Sequence, residues 1–161
     1  MKRIAILVLA VAIMLLTAIP VVAAPSDKES PANDNPNNLY LYEKYEKDSI
    51  WNIVWDGAWG KYNYKLRGEV ISGPFNGHGL VAGEDYTLVE YEGWPNVTVI
   101  GSCTADEDGN VHIAGSADLG SDGGEGGYKI WLVLSDDLAG DQFTAWNPSS
   151  YLFEHNVIPV V

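Results

Sequence analysis

The sequence predicts an all-β domain, a β-sandwich of antiparallel strands, with a small β-barrel as the alternative. Three observations carry this. Residues 62–70, 86–91 and 128–134 read with a period of two, and that period marks strands, the first with one wet face. The runs are short and separated by Gly, Asn, Asp and Pro, which is turn chemistry. No apolar stripe of helical period exceeds about two turns in the mature part.

Residues 1–23 precede the domain and read as a secretory signal peptide. Lys2 and Arg3 lead an uncharged run, "IAILVLAVAIMLLTAI", which Pro20 ends. Val21, Val22 and Ala23 supply small residues for a peptidase, and cleavage is expected after Ala23. The run is shorter than the roughly 20 residues a helix needs to cross the hydrocarbon. No second apolar run of that length follows, so no stable membrane insertion is expected after cleavage. Residues 24–38 are expected to be a flexible linker, because "PSDKESPANDNPNN" has almost nothing to bury. Residues 39–161 form the β-sandwich domain.

Within the domain, "LYLYEKY" begins a strand with Leu39 and Leu41 on one face. Asp56-Gly57 is expected to turn a hairpin between a strand bearing Trp51, Ile53 and Trp55 and one bearing Ala58, Gly60 and Tyr62. Alternation then continues through Tyr64, Leu66 and Val70, with Lys61, Lys65 and Arg67 on the wet side. "SGPFNGHGLVAG" reads as turn material. "DYTLVEYEGW" is a strand with Tyr86, Leu88 and Glu90 opposite Thr87, Val89 and Tyr91. "NVTVIGSCTA" and "NVHIAGSADL" are strands around an acidic turn. "YKIWLVLSDDL" is apolar on both faces, so it is expected at the centre of the sheet.

Charge narrows the partners. The chain carries 22 acids against 9 bases, net −13. Without Lys2 and Arg3 the mature part holds 7 bases against 22 acids, net −15. Nucleic acid needs clustered cations, so it is excluded as a partner, as is an anionic membrane surface. Cys103 is the single cysteine. It can form no internal disulfide and is expected in the core.

Several segments together resemble a family of small secreted β-rich domains, mostly archaeal with some bacterial members. They are "FNGHGL", "YTLVEYEGWP", "DGNVHIAGS", "KIWLVLS" and "WNPSSYLFE", about half of the mature chain, in order. The resemblance implies a module of a surface or exported protein. It carries no reaction and no catalytic residue. The plain acidic loop at 120–127 departs from the longer loops of that family.

The candidate sites are modest. In "TADEDGNVHIAG", Asp106, Asp108 and Asn110 alternate as calcium ligands do. The glycine and the final acid of an EF-hand are misplaced, however. The plainer reading is a solvated hairpin turn; the other is a weak Ca2+ site, and no further cofactor is expected. Asp118, Asp122 and Glu125 lie in a glycine-rich loop expected to be mobile. His78, His112 and His155 fit no metal-binding motif. No Ser-centred elbow occurs, and no catalytic residue is assigned. Trp51, Trp55 and Trp131 are expected in the core. Trp59, Trp94 and Trp146 stand beside Gly or Pro turns and are expected to be exposed for interaction, since Trp and Tyr are enriched at interfaces. Asn96, in Asn-Val-Thr, is an N-glycosylation acceptor pattern. The function expected is a non-enzymatic extracellular or cell-surface module that binds another protein or its own kind. A carbohydrate-binding module is the runner-up, and a small secreted hydrolase the third class.

Overall fold

The structure, a computed structural model, describes residues 37–120 and 126–160. The expected signal peptide, nearly all of the linker, and Asp122 and Glu125 lie outside the described residues. Ten strands follow in order: β1 (Asn38–Lys47), β2 (Ile50–Ile53), β3 (Trp59–Asn63), β4 (Lys65–Arg67), β5 (Val70–His78), β6 (Asp85–Gly93), β7 (Asn96–Thr104), β8 (Val111–Asp118), β9 (Ile130–Leu134) and β10 (Leu152–Glu154). All their pairings are antiparallel. The all-β antiparallel class read from the sequence is therefore what the structure shows.

One large sheet curls into an open, half-barrel-like arrangement. β3 and β4 pair successive parts of β5, which pairs β8 along its other edge. From β3 the sheet continues through β1, β10, β9 and β6 to β7. The two ends of the curl, β7 and β8, then meet at Gly101 and Gly115. A side-chain carbon added to Gly115 would lie 2.0 Å from the Ile100 carbonyl oxygen. Only glycine permits so close a backbone approach.

Period two sorts the side chains. Leu39, Leu41, Tyr62, Phe75, Tyr86, Leu88, Ile113, Ile130 and Leu132 point inward and form the main core. Each fully buried aliphatic side chain contributes roughly 1.5–3 kcal/mol. β9 lies between β6 and β10 and is buried on both faces, as its sequence predicts. Ile130 and Leu132 join the inner core, while Trp131 and Val133 join a second cluster with Val89, Val97, Phe143, Tyr151 and Phe153. Residues 135–151 cross that outer face and cover it in part. Among the described residues no helix is long and apolar enough to cross a membrane.

Four expectations are corrected. The hairpin is not at Asp56-Gly57, because β2 and β3 both pair β1, not each other. The tight turn is Asp48-Ser49, where both residues have positive φ, 54° and 61°, the twist a two-residue hairpin requires. Trp51 and Trp55 are consequently exposed rather than in the core. The alternation over 62–70 is broken by a turn at Gly68-Glu69, which leaves Val70 exposed as the start of β5. Finally, "SGPFNGH" is strand, not turn. Gly73 and Pro74 fall opposite the break between β3 and β4, where a missing N–H and an unusual φ cost least.

Candidate functional site

The outer cluster leaves an aromatic groove. β2 pairs only the far half of β1, Lys44–Lys47, so the hairpin leans over the outer face of β10. Trp51 thereby reaches Phe153, with ring centroids 5.3 Å apart. From the other side, the connection after β9 returns Trp146 to within 5.9 Å of Trp131 and 6.3 Å of Phe153. Trp131 forms the floor, stacked on Tyr91 at 4.0 Å and 13°. The cavity measures about 330 Å³ and is lined by Lys44, Trp51, Tyr91, Trp131, Trp146, Phe153 and Glu154. Trp51 and Trp146, its two walls, are 42% and 41% exposed.

A buried carboxylate fixes the Trp146 wall. Asp137 is buried. It accepts hydrogen bonds from Asn147 Nδ2 at 2.8 Å and the Tyr151 hydroxyl at 2.6 Å. Its main-chain carbonyl accepts from the Thr144 N–H at 2.8 Å. Burial, then the bond to Asp137, pushes the Tyr151 phenol above its ordinary range. These bonds tie both ends of the segment that carries Trp146.

Two charged groups complete the groove. Lys44 Nζ donates to the Glu154 main-chain oxygen at 2.7 Å. Burial lowers the Lys44 pKa, and Glu154 opposes that. Burial raises the Glu154 pKa, against its own backbone N–H, Lys44, Trp131 and Lys129. The Trp131 indole N–H favours the charged carboxylate, yet neither it nor Glu154 Oε2 has a partner of hydrogen-bond geometry. Burial and opposite charge thus compete over one neutral-sum pair.

Of the expected interaction residues, the structure brings two together. Trp94 is 56% exposed, stacked on Phe143 and edge-on to Trp146 at 6.2 Å. Trp59 is only half-buried, not freely exposed, and its ring packs on His78 at 4.8 Å. Sequence reasoning missed Trp51, Tyr91, Phe153, Lys44 and Glu154 as one lining. The available signal was the Asp48-Ser49 turn, which folds β2 back along β1.

The acidic loop is built as a turn. The Asp106 carboxylate accepts the backbone N–H groups of Asn110 at 2.8 Å and Asp108 at 3.0 Å. These bonds, led by that of Asn110, lower its pKa. Asn110 Oδ1 in turn accepts from His78 Nδ1 at 2.8 Å, while Asp108 is exposed. His112 Nδ1 bonds Asn76 Oδ1 at 2.7 Å, and His155 packs on the Tyr42 ring. No group of three or more His, Cys, Asp or Glu among the described residues could hold a metal ion. Cys103 is free and half-buried against the inner core.

No protein-family model, curated protein or solved structure matches this chain.

Proposed function

We propose that this chain is a non-enzymatic binding module for the cell exterior whose ligand is a neutral carbohydrate held in the aromatic groove. The observation that carries it is the lining: five aromatic rings around about 330 Å³, with one ammonium and one carboxyl among them. That volume is within the range of small-ligand sites. Indole and phenol faces take the C–H face of a sugar ring, and Lys44 and Glu154 offer a donor and an acceptor for hydroxyls. Their charges cancel, which suits a neutral ligand. Hydrolysis by the usual route needs two carboxyls flanking the bond. Glu154 is the one carboxyl in this lining among the described residues, which favours binding without cleavage.

The test is titration calorimetry with neutral oligosaccharides chosen from a glycan array. Trp51→Ala and Trp146→Ala are each expected to weaken binding tenfold or more, about 1.4 kcal/mol, with the far-ultraviolet circular dichroism unchanged. Binding that survives both substitutions would remove the groove from the reading.

A second reading, protein binding or self-assembly, is favoured by β2. Among the described residues it pairs only with β1; it has no charged residue and exposes Ile50 and Trp51. An uncharged free edge can accept another strand. Light scattering on the mature protein separates the two: a monomer that binds glycan supports the first, a dimer without glycan binding the second.

A further inference from the structure

We propose that Asn96 is an N-glycosylation site whose first sugar packs on Trp94. The proposal needs the export expected from residues 1–23 and is independent of the groove.

Asn96 opens β7 and is exposed. Its side-chain oxygen accepts a hydrogen bond from Gln142 Nε2 at 3.1 Å. Its Nδ2, the atom that carries a sugar, donates to no group among the described residues. The fold therefore holds this amide by its oxygen and presents its nitrogen to solvent, so attachment breaks no hydrogen bond. Asn147 is the contrast. It also precedes an X-Ser pair, but X is Pro148 and its Nδ2 donates to Asp137 at 2.8 Å.

The surroundings suit a pyranose. Trp94 stands two residues before Asn96 and Thr98 two residues after. One face of the Trp94 ring lies on Phe143, 5.5 Å away and 10° from parallel, Trp146 meets it at a right angle 6.2 Å away, and the residue is more than half exposed. An anchored, open indole is a platform for the apolar face of a sugar. Thr98 supplies the hydroxyl of the acceptor triplet and stays at the surface, donating to Glu92 at 2.5 Å. In the transfer, Asn96 Nδ2 attacks the anomeric carbon of a polyprenyl-pyrophosphate-linked sugar. The N–C bond forms, the C–O bond to pyrophosphate breaks, and one amide proton is lost. No oxidant or reductant is needed.

The test uses the full chain secreted from a eukaryotic host. Enzymatic deglycosylation in ¹⁸O-water should convert Asn96 to a mass-tagged Asp, and Asn96→Gln or Thr98→Ala should abolish the tag. A secreted, folded protein with unmodified Asn96 would overturn the site. For the packing, removing the glycan should lower Tm by a few degrees more in the native sequence than in Trp94→Ala, the Asn96→Asp conversion being common to both. An equal drop in both would overturn it. Should Trp94→Ala fail to secrete, acrylamide quenching decides: the glycosylated native protein should be less quenched than the deglycosylated one, and equal quenching would refute the contact.

Discussion

The inner and outer faces of the sheet are both apolar, but they are finished differently. The inner face is filled by side chains from most of the strands, and its largest members, among them Tyr62, Phe75 and Tyr86, are fully buried. The outer face of β6, β9 and β10 is covered by one connection and one leaning hairpin, and rings fill it unevenly. The rings around Phe153 and Trp131 meet at angles from 13° to 72°, and between the Trp51 and Trp146 walls a groove stays open. The inner face is thus committed to stability, whereas the outer face keeps a vacancy shaped by aromatics.

The sharpest way to break the contrast is to truncate both faces. Phe75→Ala is expected to cost about 3–5 kcal/mol in denaturant unfolding, as aromatic deletions in closed cores do. A value below about 1 kcal/mol would mean that the inner face is as loosely finished as the outer one.

Next in size is the buried acid. Glu90 is 2% exposed, and its Oε2 has no hydrogen-bond partner. Burial first, then Glu92, pushes its pKa up from 4.5 to about 7, against Lys129. Between those values the folded chain keeps a proton that the unfolded chain has released. Stability from this group therefore falls as pH rises from about 4.5 to 7, by roughly 3 kcal/mol. Glu90→Gln should remove that slope, so the variant gains on the native protein across the window. Parallel stability curves against pH would refute the assignment.

Asp137→Ala should cost about 1–3 kcal/mol, the range for stranding buried partners. It should also disturb the near-ultraviolet dichroism of Trp146, whereas an unchanged aromatic signal would show that the wall is held by ring packing alone. The smallest stability effect belongs to the groove wall. Trp51→Ala should change unfolding by less than about 1 kcal/mol, because the ring is nearly half exposed, while still weakening ligand.

The same contrast explains what the sequence discloses. β6 was legible because Tyr86 and Leu88 recur at a period of two, and β9 because Ile130 to Leu134 is apolar on both faces. β5 was not, because Gly73, Pro74 and Gly77 carry the signature of turns, and only the opposing break in β3–β4 makes them strand. Trp94 and Trp146 were legible as exposed rings beside turns. The groove was not, since Lys44, Trp51, Trp131 and Trp146 come from separate segments. Periodicity assigns a residue to a face but says nothing of which edge of β1 receives β2.

The glycine seam between β7 and β8 bears on solubility. A curled sheet that stops short of full closure has two terminal edges, each able to recruit a foreign strand. Here the two end strands meet at backbone contact through the faces where side chains would stand, a side-chain carbon on Gly115 falling 3.3 Å from the Gly101 Cα. The seam thus holds both end strands against the core, so neither splays outward. Gly115→Val would wedge the seam, part β7 from β8, and is expected to raise aggregation on refolding.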